Sequence, residues 1–285
     1  MRTVAGIDMG TQSIKTMLYE WQTKKIIAKA QVPVALIAEN DGTREQKTEW
    51  YEAALAECFA AFSAEQKASI AAIGVSGHQH GLVALDENGT ALYNVKLWND
   101  TTTAEECSII TDAAGGNDAV IRETGNLMLP GFTAPKILWL KRHHPEAFER
   151  LRYVMLPHNY LNYLLCGAYA AENGDASGTA LYNGAAKQWS KKMCDCIDPR
   201  LYGLLPPVSA SEKPCGYVSE KAAAAFGIPA GIPVSSGGGD NMMSAIGTGT
   251  VRDGVLTISL GTSGTLFGYS STPVADPVRG VSGFN

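Results

Sequence analysis

Apolar and polar positions alternate over residues 4–9, 14–21 and 25–33, and the alternation breaks only at turn residues. Three consecutive strands are predicted there, the last two joined by a tight turn at Gln22-Thr23-Lys24. From Thr48 the period lengthens. Trp50, Ala54, Leu55, Cys58, Phe59 and Phe62 recur as one face of a helix. A short apolar run at 71–75 ends at Gly77. Residues 82–85 and 91–95 flank Asp86-Glu-Asn-Gly89 as a hairpin would. Helices are expected at 135–141, at 159–166 before Gly167, and at 219–226 before Gly227. Residues 234–236 read as a strand running into Gly237-Gly238-Gly239-Asp240, with a helix over 241–246. Strands, then helices, then strands again predict an α/β class, a mixed sheet flanked by helices.

Composition narrows the function more than the fold. Hydrophobic residues make up 45% and charged residues 18% of the 285, a globular balance with ample mass for a core. The formal net charge is −5 and no basic run stands out, which argues against nucleic acid and anionic membranes as partners. No apolar run reaches the ~18 residues a membrane helix needs. Met1-Arg2-Thr3 leads straight into a strand, unlike a signal peptide. The cysteines at 58, 107, 166, 194, 196 and 215 match no zinc spacing, and Cys194-Asp-Cys196 is not a C-x-x-C motif. Reduced, buried thiols in a cytoplasmic protein are the simplest expectation. The glycine-rich stretch 247–254 is the best boundary, dividing the chain into 1–247 and 248–285.

Two distant stretches, 4–19 and 256–267, share one plan: strand, Gly-Thr turn, strand. Glycine lets the backbone approach an anion, and the following N–H and hydroxyl groups can donate to it. Gly10-Thr11 and Gly261-Thr262 are thus expected to close on one polyphosphate from two sides, with a nucleotide as ligand. Asp8 ends the first strand. It fits a magnesium ligand beside phosphates, or a carboxylate that only bonds the N–H groups of its own turn. Lys15 could reach a phosphate or stand solvated. Asp240 fits a helix N-cap and also a general base, one residue being able to do both. The glycine triplet is expected to clear space for a ligand beside it. Gly77-His78-Gln79-His80-Gly81 suits the lining of a hydroxylated ligand better than a metal site, because His78 and His80 alternate on an extended backbone. Trp98-Asn99-Asp100 could hold a sugar. The plainer reading is a core tryptophan with Asp100 capping the next helix.

Together these residues resemble the FGGY family of carbohydrate kinases, within the actin/hexokinase/Hsp70 (ribonuclease H-like) superfold. Gly6-Ile-Asp-Met-Gly-Thr-Gln-Ser-Ile-Lys15 and Ile258-Ser-Leu-Gly-Thr-Ser-Gly264 resemble its two phosphate motifs. Gly131–His143 resembles a signature pattern, and Glu45-Gln-Lys-Thr-Glu-Trp50 its "EQ…W" element. Ser76–Val83, Leu97–Asp100, Thr124–Thr133, Val154–Tyr160, Asp175–Thr179 and Gly237–Asn241 are most similar to the xylulokinase branch. The resemblance implies Asp240 as catalytic base, Asp8 on the magnesium side, and Gln79 and His80 on the ketose with Asn241 close by. It implies Thr11 and Gly261-Thr262 on phosphates, MgATP as cosubstrate, and D-xylulose as the sugar, and it allows a homodimer. Another FGGY substrate (ribulose, glycerol, gluconate) and a non-catalytic sugar sensor are the rivals. The branch often carries methionine where Gln79 stands, and the family commonly carries arginine where Thr102 stands. Its members run far past residue 285, so this chain should lack most of the adenosine pocket and be inactive alone.

Overall fold

The computed structural model describes residues 2–260, 264–272 and 274. The alternating start forms an antiparallel meander: β1 (Thr3–Met9), β2 (Ser13–Glu20) and β3 (Lys25–Pro33). On β1 the residues Thr3, Ala5, Ile7 and Met9 are buried. Gly6 and Asp8 therefore face the opposite side of the sheet. α1 (Thr48–Ala60) covers the buried side with Tyr51, Ala54, Leu55, Cys58 and Phe59, a helical stripe. Trp50, expected on that stripe, is only partly buried, and Tyr51 takes its place.

β4 (Ile70–Gly77) runs parallel beside β1. The chain then leaves the sheet through α2 (Thr133–His143) and α3 (Pro157–Cys166). It returns through β5 (Pro214–Tyr217), α4 (Glu220–Phe226), β6 (Pro233–Ser235) and β7 (Gly238–Gly239), and α5 (Asp240–Thr248) follows. The described residues build a seven-stranded mixed sheet ordered β5-β6-β4-β1-β2-β3, with β7 also on β4. The expected hairpin at 82–95 is looser than the pattern suggested. Leu85 bridges Ala91, but the strand Val83–Leu85 takes Tyr153–Met155 as its ladder partner.

Ile7, Met9, Leu18, Leu55, Phe59, Ile73, Leu161 and Leu165 join one core between the sheet and α1, α3 and α4. Each such side chain contributes about 1.5–3 kcal/mol on full burial. A second core around Ile110, Ile137, Leu140, Phe148, Met193 and Leu201 fixes α2. The six cysteines are free, and Cys58, Cys107 and Cys194 are buried. Leu256–Leu260 and Gly264–Gly268 pair antiparallel, while Gly261 and Thr262 lie outside the described residues. Thr257 touches the end of α5, with its hydroxyl 2.7 Å from that of Thr248. Among the described residues no helix is long and apolar enough to cross a membrane, and no three His, Cys, Asp or Glu side chains cluster as metal ligands.

Candidate functional site

Three parallel strands, β1, β4 and β7, end side by side. Ser76 of β4 stands opposite Asp8 on one side and Gly238 on the other. Asp8 and the segment entering Asp240 are therefore two strand spacings apart, about 9–10 Å. The carboxyl end of parallel strands is where α/β sheets take ligands. Asp8 accepts a hydrogen bond from the Ser76 hydroxyl at 3.1 Å and stands 3.4 Å from the exposed Lys15 ammonium. The N–H of Gly10 goes to the Ser13 carbonyl instead, so it is not held by Asp8. A cavity of about 660 Å³ opens beside Asp8, floored by Gly6 and Gly74 and walled by Lys15, Ser76 and Met243.

The Gly10-Thr11 turn is braced from below. Gln46 donates its amide to the carbonyls of Thr11 and Ala35, both at 2.8 Å. Its oxygen accepts from the Tyr51 hydroxyl at 2.9 Å, and Tyr51 lies 3.5 Å from Nε2 of His78. The Trp98 indole donates to the Thr11 hydroxyl at 3.0 Å. Trp98 is 43% exposed, so it is not the core tryptophan of the plainer reading.

His78 is fully buried beside Tyr51, and burial pulls its pKa down to about 3. His80 packs on Phe132 with ring centroids 4.8 Å apart, and burial pulls it down to about 4. Both imidazoles are neutral at pH 7. His80 adopts φ +63, a left-handed backbone that costs a non-glycine residue roughly 1 kcal/mol or more. Its carbonyl is held there by the Thr133 hydroxyl at 3.1 Å and the buried Lys136 ammonium at 2.8 Å. Burial lowers the Lys136 pKa to about 7. The flanking glycines admit α3: a Cβ on Gly77 would meet His158 at 3.1–3.3 Å, and one on Gly81 would meet Pro157 at 2.6 Å.

Gln79 is buried with both amide ends engaged. Its Nε2 donates to Asp175 at 3.3 Å, and its oxygen accepts from Asn241 at 2.8 Å. The glycine triplet has a different cause from the one the sequence suggested. Gly237 has φ +69 and sits under the Val75 carbonyl, where a Cβ would approach to 2.4 Å. A Cβ on Gly238 would strike Met243 at 2.7 Å, and one on Gly239 would strike Gln79 at 2.6 Å. The missing side chains leave room for protein, which packs the chain tightly against β4.

Asp240 is the first residue of α5, and Gly239 holds the cap position, so Asp240 is not the N-cap. One carboxylate oxygen accepts the Asn241 N–H at 2.8 Å. Burial raises its pKa to about 6, the Asn241 N–H opposes the rise, and the charges of Asp175 and Asp8 add to it. Those couplings put the three carboxylates in one electrostatic neighbourhood.

Asp100, expected as a sugar contact or helix cap, is fully buried in an ion cluster. It lies 3.2 Å from Lys96, accepts from the Arg44 N–H at 2.8 Å, and takes the N–H and hydroxyl of Thr102 at 3.0 and 2.6 Å. Both its oxygens are engaged, and the helix that follows starts only at Ala104. Lys96 completes the cluster with Glu45 at 2.9 Å. Asp100 therefore shapes the loop that carries Trp98. The sequence reading gave no task to Gln46, Tyr51, Lys136, His158 or Asp175. A lysine inside the apolar period of 135–141 was the one visible signal for Lys136. The others depend on contacts made across the fold.

Residues 3–247 match the model of the N-terminal domain of the FGGY family of carbohydrate kinases. The xylulose kinase of Haemophilus influenzae is 40% identical over 278 residues, covering 94% of this chain and 56% of that protein. That of Bacillus subtilis is 37% identical over 289 residues, 100% of this chain and 57% of that protein. Among solved structures, xylulose kinase from Rhodospirillum rubrum superposes with a TM-score of 0.88 at 27% identity, over 97% of this chain and 57% of that one. Gluconate kinase from Lactobacillus acidophilus gives 0.87 at 26%, over 97% and 56%. These neighbours share the actin/hexokinase-like fold, and the chain spans little more than half the length of each. The chain belongs to the FGGY family of carbohydrate kinases.

Proposed function

We propose that the protein carrying this chain transfers the γ-phosphoryl group of MgATP to a terminal hydroxyl of a ketopentose, with D-xylulose as the sugar. The observation that carries the reading is the pair Asp8 and Asp240 at the ends of strands flanking β4, with Asp240 raised to about 6. A carboxylate at that value is ionised at neutral pH and remains basic enough to take a proton. The sugar hydroxyl oxygen bonds to the γ-phosphorus while the bond from that phosphorus to the β–γ bridging oxygen breaks. The hydroxyl proton passes to Asp240, and ADP leaves.

Asp8 suits magnesium. Its half-exposed carboxylate offers hard oxygens, and magnesium is held by one or two carboxylates together with phosphate oxygens. Bound there, the ion would neutralise charge on the phosphates. The Gly10-Thr11 turn and Lys15 complete the phosphate side, with Gly261-Thr262 as its second half. On the sugar side His80 and the Trp98 face line the approach, with Gln79 and Asn241 behind them. The sugar-binding unit comprises 1–247, and 248–285 begins the nucleotide-binding unit. The names of the similar kinases favour xylulose over other polyols.

The test is ADP release by the full-length protein across D-xylulose, D-ribulose, gluconate and glycerol. D-xylulose should give the highest kcat/KM, and a preference for gluconate or glycerol would overturn the sugar assignment. In the same assay His80→Ala should raise KM for the sugar at least about tenfold, the weight of one polar contact or more, with KM for ATP within twofold.

A further inference from the structure

Asp175 is fully buried in the short helix Asn173–Ala176. Its Oδ1 accepts from Gln79, and its Oδ2 lies 3.0 Å from Nδ1 of His158. Glu172 closes the cluster, taking the N–H groups of Gly174 and Asp175 at 2.6 Å each and standing 4.0 Å from the far nitrogen of His158. Burial pulls His158 down, but the two carboxylates outweigh it and its pKa ends up raised. A buried ion pair contributes little net stability, since desolvation cancels most of the attraction. What this one imposes is an orientation. Only the NH₂ end of an amide can donate to a carboxylate, so Asp175 fixes which way Gln79 points. The Gln79 oxygen must then face Asn241, whose own N–H is bonded to Asp240. A Cβ on Gly239 would strike the same Gln79 stem, so the approach to Asp240 is built around that side chain.

We infer that Asp175 is a positioning residue for the phosphoryl transfer proposed above: through Gln79 and Asn241 it holds the first turn of α5, and with it the Asp240 carboxylate, in place. The assignment rests on the kinase reading. It makes Gln79 a clamp whose amide serves the protein, leaving direct sugar contact to His80 and Trp98.

A polarity swap tests this in the full-length enzyme. Gln79→Glu keeps the size but sets an acceptor against the Asp175 acceptor. It should lower kcat about 30-fold or more, since a displacement near 1 Å costs about 10²-fold, with KM for ATP within twofold. Adding Asp175→Asn restores a donor: the new amide at position 175 can bond the new carboxylate at position 79, whose other oxygen still faces Asn241. The double variant should regain at least about tenfold over Gln79→Glu, the tenfold step that a single well-made contact can supply. A directly sugar-binding Gln79 gives no such rescue, and a double variant no better than Gln79→Glu overturns the inference. Melting temperatures of the same set check that each variant is folded at the assay temperature. If the wild type phosphorylates no sugar, the kinase reading fails. Recovery of the melting temperature in the double variant would then still support the clamp, and its absence would overturn it.

Discussion

Asp240→Asn should make the protein more stable at the pH where it makes it less active. An ordinary aspartate titrates near 3.8, whereas Asp240 is held at about 6, chiefly by burial. The folded state therefore keeps a proton that the unfolded chain has released. No cost exists below the ordinary value. It grows as pH rises from 3.8 to about 6 and is constant above. A difference near two pH units corresponds to about 3 kcal/mol, at 1.36 kcal/mol per unit. Asp240 is only partly buried and keeps contact with water, which reduces the cost to about 1–2 kcal/mol. Asparagine has the same shape, carries no charge to desolvate, and can still accept the Asn241 N–H. At about 2–4 °C per kcal/mol, the variant should melt about 2–8 °C above wild type at pH 8. The gap should narrow at pH 5. Differential scanning calorimetry at the two pH values, beside a turnover assay on the same samples, provides the measurement. Equal melting temperatures at pH 8, or a lower one for the variant, would refute the claim that this carboxylate is held against its solvation preference.

The same raised pKa sets the acid limb of kcat/KM near pH 6, because the base must be ionised to accept a proton; a limb near 4 would point to an unperturbed carboxylate. Gly239→Ala drives a methyl group to 2.6 Å from Gln79, and overpacking of this kind costs about 1–3 kcal/mol. Its kcat should fall at least tenfold, the usual order for lost positioning being ~10²-fold, and steady-state kinetics with unaltered turnover would contradict the tight packing. Lys136→Met removes the ammonium from the His80 carbonyl, so sugar affinity by calorimetry should drop while ATP affinity holds. Equal loss of both would assign Lys136 to general stability.

The alternating stretches carried their own answer. Strand β3 over 25–33 coincides with its predicted span, because period-2 patterning and a tight turn are local signals. Helix ends were legible for the same reason: Gly167 and Gly227 take left-handed conformations where the apolar period stops. The convergence of Asp8, Gln79 and Asp240 needed the strand order, which no local pattern encodes. The errors have one physical origin. Asp100 reads as a sugar contact or a helix cap until Lys96, Glu45 and Arg44 are brought around it. The glycine triplet reads as open space until Val75, Met243 and Gln79 fill it. Hydrophobic pattern reports burial well, yet it says nothing about which polar groups are matched to one another in the interior.

Ser76 acts as a common zero mark for both acids, since Asp8 and Gly238 are each paired to it. Inserting one residue upstream in β4 would slide that mark past both neighbours at once and invert which faces its side chains point to. Each acid would lose its reference point in the same step, even with every atom of β1 and β7 unaltered. The spacing between the two acids thus behaves as an inherited property of a strand that contains neither of them.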